Sequence, residues 1–334
     1  MKGRRRWARL AAMVAAVACA AGVPAASAAS RSGGSADVAS PAVLDGDFPD
    51  PFVLPVRALD GSTTWFSFAT NTFEDGNVPV ASSRDLRRWA RARDALPVRP
   101  SWAIKGPAWS PSVLQMGSTF HLYYAVRSAS SGKFCLSHAE SSWPEGPYVD
   151  RSLWGFLCED GRGGVIDPSP FVDADGTPWL LWKTEGRVGD PARLWSQRLA
   201  PDGRGLIGPR RSLLVADRAW EAGVVEAPSM VRAWGAYWLL YSGNRWDSAA
   251  YAVGYARCAT PAGPCVKADG PILAAGSSGA PGPGSAEVFP AGGGVIGVAY
   301  HAWSAPRVGY PTGTRTLRVG RLVLDHGRLA IRPL

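Results

Sequence analysis

The sequence lacks most features that mark helical, membrane-embedded or zinc-stabilised proteins. Apolar residues show almost no 3.6-residue period, which excludes a helix bundle. The one long apolar run, Leu10 to Ala21, is too short to span a bilayer as a permanent helix. Four His and five Cys occur without a spacing typical of zinc ligands, so we expect no zinc site.

The remaining composition is that of an ordinary globular protein. Of 334 residues, 46% are hydrophobic, and the 39 Gly and 28 Pro show no three-residue period, which excludes a disordered chain and a collagen-like fibre. The net charge of +9 suggests an anionic partner only if the basic residues cluster on a folded surface. The length alone allows one large domain or two smaller ones.

Much of the positive charge belongs to an export signal. Five basic residues precede the apolar run and Ala26-Ser27-Ala28 follows it, the pattern of a cleaved secretory signal peptide over residues 1–28. Cleavage leaves 306 residues with a net charge of +4, so we expect a mildly basic, secreted protein with no membrane attachment. A lipoprotein anchored through Cys19 is the alternative. Residues 29–43 are small and polar and predict a flexible lead-in, and residues 44–334 form the folded domain.

The four cysteines beyond the signal are Cys135, Cys158, Cys258 and Cys265. An even number in an oxidising compartment predicts two disulfides, for which three connectivities are possible. We favour Cys135 with Cys158 and Cys258 with Cys265, because the second pair encloses a turn-forming Thr-Pro-Ala-Gly-Pro stretch.

One pattern repeats five times along the folded domain. An acidic or small polar residue near a Pro is followed by two or three apolar residues, a short turn and an aromatic-rich strand. The repeats begin at positions 50, 110, 167, 226 and 287, with spacings of 57 to 61 residues. Short β-rich runs with an even period of tens of residues predict an all-β, five-bladed β-propeller. A pair of β-sandwiches would not explain five evenly spaced copies.

The repeat brings together acids that are distant in sequence. Equivalent positions of successive blades lie at the same radius and height, so Asp50, Asp167 and Glu226 are expected to meet at one mouth of the central channel. Carboxylates that share a cavity repel each other, which separates their pKa values as acid/base catalysis requires. A calcium site is an alternative, but Ca²⁺ ligands usually come from one loop.

Aromatic residues indicate a carbohydrate ligand. The chain has fifteen Trp, and several stand next to repeat starts or loops. Sugar rings stack on indoles, so an aromatic pocket with acids at its base suits a sugar, although each Trp taken singly can equally pack between blades. The Trp in question are Trp102, Trp109, Trp182, Trp246 and Trp303.

From about Asp45 to the C-terminus, the sequence resembles glycoside hydrolase family 43. These enzymes are secreted five-bladed propellers that release arabinose or xylose from plant polysaccharides with inversion. The resemblance is carried by four segments in order, which are Asp47-Phe48-Pro49-Asp50-Pro51, Val165-Ile166-Asp167-Pro168-Ser169-Pro170-Phe171, Val225-Glu226-Ala227-Pro228-Ser229-Met230 and Tyr300-His301-Ala302-Trp303.

The resemblance assigns roles to these positions. It implies that Asp50 is the general base, Glu226 the general acid, and Asp167 the carboxylate that tunes the acid and orients the sugar. The base and acid of such an inverting enzyme lie roughly 6.5 to 9.5 Å apart. His301 matches a residue that, in many members, helps to hold a calcium ion through water at the propeller centre; no organic cofactor is implied. Arg315 matches the Arg that reaches the terminal sugar, and Trp109 a wall of the sugar pocket.

Two further segments narrow the resemblance. Together with the Cys pairs, they resemble the secreted branch of the family that is associated with exo-acting α-L-arabinofuranosidases. The segments are Trp143-Pro144-Glu145-Gly146-Pro147-Tyr148 and Pro261-Ala262-Gly263-Pro264. One departure occurs at Trp109-Ser110-Pro111-Ser112, where the family usually has Trp-Ala-Pro followed by an acid. A supporting carboxylate is therefore missing, which bears on substrate preference.

Several functions fit this sequence. The first is an arabinofuranosidase acting on arabinan or arabinoxylan. A β-D-xylosidase of the same family is an alternative, because both specificities share these residues. A sugar-binding propeller without turnover is another. Nucleic acid is not an expected partner, since the basic run of Arg84, Arg87, Arg88, Arg91 and Arg93 is interrupted by Asp85 and Asp94 and is typical of a solvated edge.

Overall fold

The computed structural model describes residues 40–71 and 76–334, which form five four-stranded antiparallel sheets. The strands of blade 1 are β1 Phe52–Arg57, β2 Thr63–Phe68, β3 Val80–Ser83 and β4 Ala90–Arg91, and those of blade 2 are β5 Trp109–Met116, β6 Thr119–Arg127, β7 Phe134–Ser141 and β8 Leu157–Cys158. Blade 3 contains β9 Val165–Val172, β10 Pro178–Thr184, β11 Arg193–Leu199 and β12 Leu206–Val215. Blade 4 contains β13 Val225–Ala233, β14 Ala236–Gly243, β15 Ala252–Cys258 and β16 Cys265–Lys267, and blade 5 contains β17 Gly284–Gly292, β18 Val295–Trp303, β19 Arg315–Asp325 and β20 Arg328–Pro333.

Helix is nearly absent from the described ranges. The short segments are α1 Ala275–Ser278 and two 3₁₀ turns at Asp160–Arg162 and Ala219–Glu221. Over residues 40–71 and 76–334, no helix has the length and apolarity needed to cross a membrane. The expected signal peptide, residues 1–28, lies outside the described residues.

The first strand of each blade faces the centre of the ring. β1 contacts β5 and β17, β9 contacts β5 and β13, and β13 contacts β17, so the five first strands close a circle. Within every blade the strands follow in chain order from the inside outwards. The predicted five-bladed propeller is therefore confirmed, and the alternative of paired sandwiches is wrong.

The core consists of hydrophobic clusters between neighbouring blades. Each of five clusters takes its residues from two adjacent sheets. Strand periodicity explains this, because side chains alternate between the two faces of a sheet. On β10, Leu180 and Trp182 pack toward blade 2, whereas Leu181 packs toward blade 4.

Near the start of each inner strand lies a residue in the left-handed backbone region. The φ values lie between 47° and 57° at Asp50, Ser110, Asp167, Ala227 and Ser285. In blades 2 to 5 this residue falls within a β-bulge, where the inner strand has an extra residue relative to the second strand. A bulge re-aims side chains at the end of a ladder, and here it turns them toward the ring centre.

These positions correct the phase that the sequence suggests. In blade 4 the equivalent residue is Ala227, so Glu226 lies one position before it, and in blade 5 it is Ser285, two positions before Glu287. A proline follows the left-handed residue in four blades but not in blade 5, where Ala286 takes its place. The acidic residues Glu226 and Glu287 therefore mark these repeats in the sequence but do not occupy the position equivalent to Asp50 and Asp167.

Both favoured disulfides are present. Cys135 bonds to Cys158 across β7 and β8, and Cys258 bonds to Cys265 across β15 and β16. Each disulfide joins the third and fourth strands of its blade. The outer strands they hold, β8 and β16, have only two and three residues.

The domain begins earlier than the sequence indicates. Residues 40–43, assigned above to the flexible lead-in, already bind the last blade: Ala42 bridges Arg318, and the Val43 amide donates to the Leu317 carbonyl at 2.9 Å. The polar composition concealed this role, because the segment is held by backbone hydrogen bonds. The rest of the lead-in, residues 29–39, lies outside the described residues.

Candidate active site

A cavity of about 760 Å³ opens where the five inner strands begin. Asp50, Asp167 and Glu226 all line it, as do Trp109 and Arg315. The structure thus brings together five of the six residues singled out in the sequence. The sixth, His301, lies directly beneath Asp50, whose amide donates to His301 Nδ1 at 3.1 Å.

Asp50 is held as a carboxylate. Thr70 Oγ1 donates to Oδ2 at 2.6 Å and Ser285 Oγ donates to Oδ1 at 2.7 Å. The guanidinium of Arg315 lies 3.7 Å from Oδ1. Burial raises the pKa of Asp50, but the charge of Arg315 and the two hydroxyl hydrogen bonds outweigh it, so the pKa lies below its ordinary value.

Asp167 differs from Asp50, because its pKa is shifted upward and not downward. Ser110 Oγ donates to its Oδ1 at 2.7 Å and the Ala227 amide donates to Oδ2 at 2.8 Å. Burial, together with the neighbouring charge of Glu226, raises the pKa of Asp167 to about 7 despite these hydrogen bonds. Near neutral pH, Asp167 therefore exchanges its proton while Asp50 is ionised.

Glu226 forms a buried ion pair that the sequence did not reveal. Lys183 Nζ donates to Glu226 Oε2 at 2.8 Å and also lies 2.9 Å from Glu185 Oε2. Burial lowers the pKa of Lys183, but the charges of Glu226, Glu185 and Asp167 outweigh it and raise the pKa above its ordinary value. Lys183 is therefore an ammonium ion with three donors and no lone pair.

Arg315 is fixed by aromatic rings and by Asp47. Its guanidinium carbon lies 4.7 Å from the ring centroid of Trp246 and 5.3 Å from that of Tyr310. The Arg315 amide donates to Asp47 Oδ1 at 2.6 Å, and Tyr310 Oη donates to Asp47 Oδ2 at 2.5 Å. The cation is therefore presented to the cavity in one orientation.

Trp109 forms an aromatic wall on the opposite side. Its ring stacks on Phe134, with centroids 4.2 Å apart, and it is only partly buried. Trp246 also lines the cavity and is 37% exposed. Two indoles therefore border the cavity, Trp109 backed by Phe134 and Trp246 in contact with Arg315.

His301 is completely buried and is neutral, since burial and the charge of Arg315 lower its pKa to about 3. Because Nδ1 accepts the Asp50 amide hydrogen, the proton of the neutral ring is on Nε2. Among the described residues Nε2 has no hydrogen-bond partner. An N–H donor does not ligate Ca²⁺ directly, but it can donate to a water molecule that does, so His301 fits a water-mediated ion and not a direct ligand.

Sequence reasoning missed Lys183, Thr70, Ser285 and Tyr310. Lys183 carried a signal, since it is a charged residue at the end of an apolar strand, Trp179-Leu180-Leu181-Trp182. Ser285 occupies the same position in its blade as Asp50, but the acidic residue Glu287 two positions later marks the start of that repeat in the sequence. Thr70 and Tyr310 stand in loops without any local pattern, and only the fold brings them to the site.

This arrangement can perform acid/base chemistry. Asp50 and Asp167 lie in one cavity but in different electrostatic environments. Asp50 is ionised, whereas Asp167 gains and loses its proton near pH 7. Paired acids with divergent pKa values are what general acid/base catalysis needs. The volume lies in the range of small-ligand pockets, and the indole walls suit a sugar ring.

Known proteins resemble this chain in sequence and fold. The model of the family described as glycosyl hydrolases family 43 matches residues 40–327. An extracellular endo-alpha-(1->5)-L-arabinanase of Bacillus subtilis is 25% identical over 254 residues, covering 70% of this chain and 76% of the relative.

Solved structures share the propeller. A thermostable family-43 glycoside hydrolase superposes with a TM-score of 0.76 at 24% identity, covering 89% of this chain and 96% of that one. An endo-1,4-beta-xylanase from Bacteroides thetaiotaomicron superposes with a TM-score of 0.71 at 28% identity, covering 86% and 95%.

Proposed function

This chain belongs to glycosyl hydrolases family 43, and on that premise we propose that it is an inverting exo-enzyme that releases L-arabinofuranose from arabinan or arabinoxylan. The observation that carries the proposal is the set of three carboxylates, Asp50, Asp167 and Glu226, in one cavity with tryptophan walls. The reaction is a single displacement at the anomeric carbon.

Asp50 acts as the general base. Its carboxylate is ionised at neutral pH and deprotonates the water that attacks the anomeric carbon. Thr70 and Ser285 each occupy one lone pair of a different oxygen, which leaves other lone pairs for that water. Arg315 balances the negative charge and faces the terminal sugar.

Glu226 acts as the general acid. Because Glu226 is ion-paired with Lys183 through Oε2, it takes up a proton on Oε1 before it gives that proton to the departing oxygen. Lys183, which also contacts Glu185, fixes the orientation of Glu226, and Asp167 acts on it electrostatically from the neighbouring blade. After the glycosidic bond breaks, the proton that Asp50 took from water is returned to solvent and Glu226 is reprotonated.

Exo action is part of the proposal. Residues from all five blades line the cavity, and we place the end of the polysaccharide chain in it. Trp109 and Trp246 stack on sugar rings, and Arg315 binds the terminal residue. The Bacillus arabinanase relative supports an arabinan substrate.

A β-D-xylosidase is the second candidate, and the xylanase structure at 28% identity supports it. A binding propeller without turnover is less well supported, because all three expected acids are present and lie in one cavity. If a Ca²⁺ ion binds near His301, His301 would hold it through water, and the ion would contribute fixed positive charge beneath the site.

Secretion is part of the proposal. Two disulfides are typical of an oxidising compartment, and the Bacillus relative is named extracellular. The substrate is accordingly a plant cell-wall polysaccharide or its fragments outside the cell.

The test compares 4-nitrophenyl α-L-arabinofuranoside, 4-nitrophenyl β-D-xyloside and arabino-oligosaccharides. Asp50→Ala is expected to lower kcat about 100- to 10,000-fold on all cleaved substrates, as loss of a general base does. Glu226→Ala is expected to lose more on oligosaccharides than on the nitrophenyl glycoside, because nitrophenolate leaves without protonation. Proton NMR of the first product should show inversion, and only monosaccharide should be released.

Glu287→Gln is the matched control, since Glu287 is a partly buried carboxylate that does not line the large cavity. It should keep wild-type turnover. Equal activity in wild type, Asp50→Ala and Glu226→Ala would refute the mechanism, and binding of arabinan without any released sugar would favour the non-catalytic propeller. Preference for the xyloside would establish the second candidate.

A further inference from the structure

A second polar cluster lies in blade 2, away from the large cavity. His121 on β6 is paired directly with Glu140 on β7, and His138 stands two residues before Glu140 on the same strand. Residues at i and i+2 of a strand share a face, and a directly paired residue joins them there. The three side chains therefore converge on one face of blade 2, although the sequence shows no metal-binding spacing.

The ligand atoms have the separation that one metal ion requires. His121 Nδ1 lies 3.0 Å from His138 Nε2, and Glu140 Oε1 lies 3.7 Å from the first and 3.9 Å from the second. A point equidistant from the corners of this triangle is about 2.1 Å from each, which matches Zn–N and Zn–O bond lengths. We propose that His121, His138 and Glu140 bind one divalent transition-metal ion of the Zn²⁺ type.

The groups can supply the lone pairs. In the metal-free molecule one ring donates a hydrogen to the other across the 3.0 Å contact. Moving that hydrogen to the far nitrogen of its own ring frees both facing nitrogens, with no net change in protonation. Glu140 Oε1 accepts from Arg204 Nε at 2.5 Å, and a carboxylate oxygen has a second lone pair for a metal.

Arg204 acts as the supporting residue. It forms a bidentate contact with Glu140, through Nε to Oε1 and a terminal nitrogen to Oε2 at 2.8 Å. Metal-ligating carboxylates are commonly oriented in this way by a hydrogen-bonding partner. The contact also joins blade 2 to the loop between β11 and β12 of blade 3.

A cavity adjoins the proposed metal site. His138, Glu140 and Arg204 line a separate cavity of about 500 Å³, which Trp154 and Phe156 also border. No residue of this cavity lines the large one, so the two sites are independent. Three protein ligands with one open position leave room for water or for a ligand oxygen.

The donor set predicts which ions bind. Two imidazoles with one carboxylate suit Zn²⁺, Ni²⁺ and Cu²⁺, whereas Mg²⁺ and Ca²⁺ prefer sites made wholly of oxygen. The four cysteines of the described residues cannot compete, because Cys135, Cys158, Cys258 and Cys265 are all in disulfides.

The experiment uses the secreted protein, purified with a histidine-free affinity tag and freed of metal with a chelator. Isothermal titration with ZnCl₂ should show one high-affinity ion per chain, confirmed by elemental analysis after gel filtration. His138→Gln and Glu140→Gln should each weaken binding at least about tenfold, because loss of even a supporting partner costs that much. CaCl₂ and MgCl₂ should give no heat at this site.

His326→Ala is the matched control, since the side chain of His326 is 97% exposed and pairs with the adjacent Asp325. It should bind Zn²⁺ like wild type. His121→Gln is a further variant in case one of the others fails to fold, which circular dichroism would show. The proposal is overturned if wild type binds no stoichiometric Zn²⁺, if all folded ligand variants bind it with unchanged affinity, or if His326→Ala alone abolishes binding.

Discussion

Asp167 shows how burial controls the protonation of a single side chain. Its pKa of about 7 lies well above the value of about 3.9 for an unfolded chain. Between these two values the folded protein binds one proton more than the unfolded protein. Its contribution to the free energy of unfolding therefore decreases as pH rises from about 4 to about 7.

We expect Asp167→Asn to separate stability from activity. The amide imitates the protonated acid, so the variant should match wild type in stability near pH 4 and exceed it by a few kcal/mol, about 2 to 4, at pH 8. Its activity should fall at all pH values. Urea denaturation at both pH values and a kcat profile measure the two effects.

Glu287 provides the comparison for this prediction. Burial raises its pKa to about 8, so Glu287→Gln should raise stability at alkaline pH in the same direction while keeping activity. A stability difference between Asp167→Asn and wild type that does not change with pH would contradict the assignment.

At the scale of the element, disulfides hold two of the three shortest outer strands. β8 and β16 contribute two and three residues and each is joined to its neighbour by a disulfide, whereas the two-residue β4 is held by its strand pairing alone. The two bonds close chain segments of different length, with sequence separations of 23 and 7 residues.

Loop length predicts their relative effects. Replacing Cys135 and Cys158 together by Ser should lower the free energy of unfolding by about 3.4 kcal/mol, and replacing Cys258 and Cys265 by about 2.4 kcal/mol, because the longer closed loop restricts the unfolded chain more. Guanidinium denaturation under oxidising conditions measures both. A larger loss for the shorter loop would show that native packing, and not chain entropy, dominates.

The positions of the inner strands along the chain could be predicted from the sequence, but their pairing register with the second strands could not. The repeat located all five, because proline and apolar residues recur at each start. The bulges that rotate Asp167 and shift Glu226 by one position arise from pairing between neighbouring strands, which a repeat does not encode.

At the scale of the molecule, the N-terminal segment closes the ring. The Phe48 amide donates to the Arg315 carbonyl at 2.7 Å, and Arg318 donates to the Ser40 carbonyl at 2.6 Å. Phe48 is fully buried in the cluster between blades 5 and 1. The first and last blades are therefore joined by noncovalent contacts of residues that precede β1.

Phe48→Ala should accordingly cost about 3 to 5 kcal/mol, as truncation of a buried Phe does. Because Asp47 and Arg315 adjoin it, kcat should also fall. Thermal denaturation and turnover measure both. Leu59→Ala is the control, since Leu59 is fully exposed and should change stability by less than about 0.5 kcal/mol. Equal stability of the two variants would show that closure does not depend on Phe48.

The sequence by itself determined the fold class, the number of blades and the three acids of the cavity, and it favoured the disulfide pairing that the structure contains. These follow from strand periodicity, an even repeat and short motifs, all of which can be read directly from the order of residues in the chain. The tertiary structure decided that Lys183 pairs with Glu226, that Ser40–Val43 bind the last blade, and that His121 meets His138 and Glu140. Such partners are chosen by strand register and by the cost of burying a charge or polar group, and both depend on residues that become neighbours only after folding.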